Sequence, residues 1–408
     1  MPVPPLPPGF DFTDPDVYAE RVPLAELAAL RRSAPVWWNA QRRGSAGFDD
    51  EGYWVVTRHA DVRAVSLDSA LFSSAEKTAL VRLAEGTGPD EIAVQRLILL
   101  NTDPPQHAAL RRIVARGFTP RAVAALRDAL ADRAERIARA ARDGGTGDFV
   151  RDVASELPLQ AIAELLGIPQ DDRGAIFAWS NRMIGSDDAA GPDGAMQAAA
   201  ELLGYAMGLA EERRERPRDD IVTALVQADV DGRGLTPDEF GFFVILLAVA
   251  GNETTRNAIS HGMAAFLADP EQWALYRAER PATTADEIVR WATPVVAFQR
   301  TATADTELGG QAVHRGDRVA LFYSSANHDE EVFTDPHRFD ITRDPNPHLG
   351  FGGHGAHYCV GANLARLEIE LMFSAIADHL PGIAAAGEPT RLRSGWLNGI
   401  TAFPVRYR

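Results

Sequence analysis

Cys359 is the only cysteine in a chain of 408 residues, and its neighbours decide whether it does chemistry. The loop 351–361 contains Gly352, Gly353, Gly355 and Gly361 together with His354 and His357, and it leads into a helical stretch at 362–378. By composition alone, a lone cysteine in a reducing compartment reads as a small buried hydrophobe. The loop offers other readings. A glycine-rich turn ahead of a helix could cradle phosphate, but it lacks both a Gly-Lys-Ser/Thr ending and a complete G-x-G-x-x-G. His354, His357 and Cys359 could form part of a zinc site, although structural zinc prefers four ligands in paired spacings and no second cysteine exists. The third reading is a thiolate stabilised by a helix N-terminus and by backbone N–H groups. Glycines beside it would let the main chain approach a large flat cofactor. Thiolate ligation also gives haem iron the electron density to cleave an O–O bond.

Two remote clusters bear on the choice. Ala250, Gly251, Asn252, Glu253, Thr254 and Thr255 follow an all-apolar stretch. A threonine there could simply bond back to a carbonyl one turn earlier, yet glycine and a carboxylate are both costly inside a buried helix. Glu287 and Arg290 are three apart on one helix face, a pairing more often found as an exposed salt bridge of small value.

Elements must position these residues. Thr236-Pro237-Asp238-Glu239 combines a capping box with proline at the first helical position, and predicts a helix running to Asp269. About 33 residues at 1.5 Å each give roughly 50 Å, enough to cross a domain. Because 240–250 are apolar on every side, this helix should be covered all round. Apolar spacing of three and four predicts helices over 121–142 and 157–166. The best strand signals are 53–57 and 318–322. The class is mainly α with a minor β portion, and without repeats or a Gly/Ser linker residues 1–408 are expected to form one domain.

Composition excludes some functions. A net charge of -16 argues against nucleic acid as the main partner. With 46% hydrophobic residues a large core is available, but the longest apolar run is too short for a transmembrane segment. The proline-rich opening lacks the features of a signal peptide, so a cytoplasmic location is expected.

The cysteine segment resembles the haem-binding signature of the cytochrome P450 family, with His357 two before the cysteine, Gly361 two after it and Leu364-Ala365-Arg366 following. In most members a phenylalanine stands seven before the cysteine; here Gly352 holds that place and Phe351 is eight before, a form shared by one subgroup. The resemblance implies the family's triangular prism of helices with a long central helix and small β-sheets. It implies heme b, iron protoporphyrin IX, with Cys359 as the metal ligand. Ala250, Gly251, Glu253 and Thr254 map onto the oxygen-activating motif, where a local opening of the helix would admit dioxygen and water while Glu253 and Thr254 relay protons. Arg338, in Asp335-Pro336-His337-Arg338-Phe339, is similar to the family's arginine that joins Glu287 and Arg290 in a buried network. His107, Arg111, Arg300 and His357 match its propionate-binding positions, and Phe351 and Gly361 complete the cofactor set.

Near full-length similarity extends to the family's bacterial steroid 26-monooxygenases, which oxidise the terminal methyl of a cholesterol-type side chain. Val295, Val296, Phe298 and Trp396 are the implied pocket residues for a small apolar substrate. Departures from that subgroup fall at 77–91 and 181–200, stretches that cover the pocket mouth in this fold. Alternatives are a tailoring hydroxylase of terpenoids or polyketides, and a non-catalytic haem or zinc binder. With no flavin or nicotinamide fingerprint, electrons are expected from a ferredoxin and its ferredoxin reductase, with O2 as co-substrate. Arg111, Arg112, Arg116 and Arg366 could steer an acidic carrier to the cysteine side.

Overall fold

Helix capping places the longest element. In the computed structural model, which describes residues 6–83, 87–184, 191–218, 220–228 and 235–408, a single helix spans Pro237–Ala268. Thr236 accepts from the Glu239 N–H at 3.2 Å and the Glu239 carboxylate accepts from the Thr236 N–H at 3.0 Å, closing the capping box. The helix packs against Gly191–Glu215, Glu156–Leu165, Thr284–Ala292 and Ala362–His379, and Phe240, Phe243, Val244, Ile259, Met263 and Phe266 are buried among them.

Two expectations about this helix need correction. It is not covered all round: Ala250 is exposed, and Leu246 and Thr254, one turn to either side of it, are only half-buried. Residues four apart share a face, so this open stripe lines a site instead of the core. Nor does the helix open locally. It runs unbroken past Gly251, although the Thr254 hydroxyl also donates to the Ala250 carbonyl at 2.6 Å, a bond that competes with the helix's own.

The predicted 121–142 helix is two, Pro120–Ala125 and Arg127–Gly144, separated at Leu126. The 157–166 prediction corresponds to Glu156–Leu165. Both predicted strands exist, and they pair in parallel, with Trp54 opposite Val319. They form the centre of a five-stranded sheet ordered Val36–Ala40, Gly52–Val56, Arg318–Phe322, Ala297–Ala302, Phe72–Ser73. The sheet matters because Phe298 and Arg300 sit on one of its strands and Ser74 follows another. Smaller sheets involve Thr146–Asp148, Pro404–Arg406 and Ala384–Ala385, and two further pairs. The stretches 77–91 and 181–200 fall partly outside the described residues. Among the described residues no helix is long and apolar enough to cross a membrane.

One buried acid sets a pH dependence. Glu368, on Ala362–His379, is 2% exposed and its Oε2 has no hydrogen-bond partner. Burial pushes its pKa up to about 8. Because the folded pKa lies above the unfolded one, the folded chain holds an extra proton, and stability is lost as pH rises from the ordinary carboxylate range toward 8. The stability advantage of Glu368→Gln over the wild type should therefore widen between pH 5 and pH 8, by up to about 1.4 kcal/mol per unit. Urea unfolding at several pH values measures it; a difference independent of pH would contradict the assignment.

Candidate active site

The cysteine loop is shaped by its glycines. Gly355 has φ +78, and a Cβ there would lie 2.4 Å from the Ser66 carbonyl oxygen, so the loop lies against the end of His59–Leu67 only because no side chain intervenes. The Cys359 N–H donates to the Phe351 carbonyl at 2.9 Å. Gly361 is the N-cap of Ala362–His379, and its N–H bonds to the cysteine sulfur. Cys359 is solvent-accessible, yet protein crowds it closely enough that desolvation pushes the thiol pKa up, while the Gly361 N–H, Arg111 and Arg366 pull it down.

The histidines of the loop diverge. His354 stacks on Tyr358 with ring centroids 5.6 Å apart, whereas His357 turns the other way, toward Ser74 Oγ at 3.1 Å and the His107 ring at 4.2 Å. No group of three or more His, Cys, Asp or Glu among the described residues could hold a metal ion, which corrects the zinc alternative: His354 is drawn to Tyr358 and His357 to Ser74 and His107, so the would-be ligands do not converge.

His107, Arg300 and His357 instead gather on one side of the loop, with Arg111 beside them. Arg111 donates to the Tyr358 carbonyl. Arg300 is 4% exposed, and its one described hydrogen bond goes to the Gln299 carbonyl at 2.7 Å. Burial, reinforced by Arg111, lowers the pKa of His107 to about 4. Burial and the nearby Arg300 lower that of His357 to about 2. A buried guanidinium without a carboxylate partner is costly, and neutral imidazoles beside it are suited to donate. The set is built to receive anionic oxygens. Sequence reasoning missed Ser74 and Asp103, which anchor it: Asp103 accepts from the Ser74 N–H at 2.7 Å and from Ser73. The aspartate that precedes Pro104 and Pro105 was the available signal.

On the central helix, Glu253 faces Arg256 and Asn257, not Thr254. Gly251 answers to packing, since a Cβ there would approach Ile162 to 2.8 Å. The motif residues that keep open surface are Ala250, Gly251 and Thr254, whereas Asn252, Glu253 and Thr255 are buried.

The Glu287 network is present with a different third member. Glu287 and Arg290 are fully buried and paired through Nε at 2.7 Å and Nη2 at 2.8 Å. Arg338 contributes only its carbonyl, which accepts from Arg290 at 3.2 Å, while its side chain is exposed. The guanidinium that reaches Glu287 belongs to Arg343, at 3.2 Å. The chain turns at Asp340, whose N–H also donates to Glu287 at 2.9 Å, and this turn aims Arg343 inward and leaves Arg338 in solvent.

Among the candidate substrate residues, Val296 is fully buried with Phe12 and Tyr18, so it is core. Val295, Phe298 and Trp396 keep partial exposure. Phe298 stacks on Trp396 at 6.3 Å, and Val295 bridges Leu397. Of the arginines expected near the cysteine, Arg112 and Arg116 are exposed, but Arg366 is bound to Asp286 at 2.7 Å and lies 4.5 Å from the Phe351 ring.

Comparison with known proteins agrees with this architecture. The cytochrome P450 family model matches residues 282–380. The chain is 61% identical over 405 residues to a steroid C26-monooxygenase of Rhodococcus jostii, covering 99% of this chain and 86% of the relative. It is 57% identical over 412 residues to a Mycobacterium tuberculosis protein of the same name, covering 100% of this chain and 94% of the relative. A Mycobacterium marinum cytochrome P450 solved with pseudoionone superposes with a TM-score of 0.90 at 37% identity, over 99% of this chain and 100% of that one. The chain belongs to the cytochrome P450 family. It is a monooxygenase, and the family implies haem, dioxygen and a small substrate.

Proposed function

We propose that this enzyme hydroxylates the terminal methyl of a steroid side chain; relatives at 57–61% identity are named steroid C26-monooxygenases. That similarity over nearly the whole chain is the observation that carries the substrate class. Heme b held by Cys359 would supply dioxygen binding and O–O cleavage. In this reading each of this chain's site residues takes a role. Gly361 and the loop glycines present the thiolate. His107, Arg111, Arg300 and His357 bind the propionates, with Phe351 supporting the loop. Ala250 and Gly251 border the oxygen side, where Glu253 and Thr254 move protons. Val295, Phe298 and Trp396 orient the substrate, with Val296 as core behind them; a terminal methyl is intrinsically hard to oxidise, so orientation selects it. We place the chain in the cytoplasm as one domain, with electrons from a ferredoxin and its reductase.

A spectral titration tests the substrate. Cholesterol-type steroids should displace the resting spectrum of the haem-loaded enzyme, and product should form only when ferredoxin and its reductase are both added. If every steroid leaves the spectrum unchanged while a terpenoid or macrolide shifts it, the steroid reading is overturned in favour of a tailoring hydroxylase.

A further inference from the structure

Glu253, Asn257 and His261 recur every fourth residue and share one face of the central helix, while Ala250 and Thr254 share another. Glu253 Oε1 accepts from Arg256 and from Asn257 Nδ2, the latter at 3.1 Å, and its buried Oε2 meets no donor. The acid is thus held away from Thr254. Asn257 ties it to a distant stretch of chain. This fully buried amide gives Nδ2 to Glu253 and takes the Ile400 N–H on Oδ1 at 3.3 Å. Turning the amide over would break both bonds.

Ile400 ends the segment that carries Trp396. The Trp396 carbonyl accepts from the Val296 N–H at 2.8 Å, and the Asn398 N–H donates to the Pro294 carbonyl at 2.9 Å. The Asn398 carbonyl meets His261 Nε2 at 3.1 Å. A Cβ on Gly399 would lie 2.8 Å from Leu392 and 3.2 Å from Asn257 Nδ2, so this stretch touches the amide without slack. Close-packed interiors transmit displacement. Three residues separate the half-buried indole of Trp396 from the Ile400 N–H that fixes Asn257.

We propose that Asn257 is a positioning residue that couples ligand contact at Phe298 and Trp396 to the orientation of Glu253. This rests on the reading of Glu253 as the proton-relaying acid. A ligand that moves Trp396 shifts Ile400, frees the amide and lets the carboxylate turn toward Thr254. The device delays proton delivery until a substrate is in place, and so suppresses loss of reducing equivalents as peroxide.

The test uses haem-loaded protein. Asn257→Leu removes both amide bonds; Asn257→Asp keeps the acceptor for Ile400 but sets a second carboxylate against Glu253. Hydrogen exchange at the Ile400 amide should quicken about tenfold in Asn257→Leu and stay near wild type in Asn257→Asp. Both should lower the ratio of product to dioxygen consumed about threefold or more, with substrate affinity within twofold. Trp396→Ala should lower that ratio in the wild type but not further in Asn257→Leu. Additive losses, or unchanged Ile400 exchange, overturn the coupling. If Asn257→Leu does not accumulate with haem, Asn257→Asp combined with Trp396→Ala gives the same comparison. Failure of the wild type to hydroxylate any steroid would instead overturn the functional reading, and the exchange measurement would still decide the mechanical link.

Discussion

Cys359→His is expected to yield a protein that retains haem but hydroxylates roughly 10³-fold more slowly or not at all. Histidine can still ligate iron, so haem content separates loss of binding from loss of chemistry. What disappears is the thiolate, whose electron donation favours O–O cleavage. Three groups around the sulfur already oppose the desolvation that raises the thiol: the Gly361 N–H, Arg111 and Arg366. Burial still holds the thiol above its ordinary value, so these three groups offset the desolvation only in part, and an iron bound to the sulfur would supply the rest of the preference for thiolate. The check is the spectrum of reduced protein with carbon monoxide, which should show the red-shifted band of thiolate-ligated haem in the wild type and lose it in Cys359→His. Persistence of that band, or of turnover, would remove Cys359 from the role.

Glu287→Gln should destabilise the fold by about 3–5 kcal/mol, because it leaves Arg290 charged and fully buried without a carboxylate. Glu287 accepts from Arg290 twice, from the Asp340 N–H, from Arg343 at 3.2 Å and from Asn346 at 3.1 Å. Arg290 in turn holds the carbonyls of Asn327 at 2.8 Å and Pro336 at 2.9 Å. Asn327 carries the effect to the cysteine loop, since its Oδ1 accepts from the Leu349 N–H at 2.7 Å. Loss of haem retention should accompany the loss of stability. The same unfolding measurement separates the two arginines: Arg343→Ala should cost clearly more than Arg338→Ala, whose exposed side chain is worth within about 0.5 kcal/mol. Equal costs would return Arg338 to the network.

Much of this site was legible in the chain itself. The capping box at Thr236 and Glu239 and the proline after Asp269 set both ends of the central helix, because such signals act within a turn of chain. Glycine spacing around Cys359 marked a loop that approaches other groups closely, and the motif order marked the family. Tertiary structure decided what depends on where a side chain lands after a turn. Arg338 and Arg343 both lie near a plausible partner in sequence, but the bend at Asp340 buries one and exposes the other. His354 and His357 are three apart in a loop without regular dihedrals, so no periodicity could tell that they face opposite ways. Glu253 precedes Thr254 in the motif, yet adjacent helical positions point about 100° apart, and its choice of Asn257 depends on Ile400, which only the folded chain brings near. Local signals therefore determined the elements, the cysteine loop and the class of chemistry, while the orientation of the polar side chains was settled by contacts that only the folded chain makes, such as His357 with Ser74 and Asn257 with Ile400.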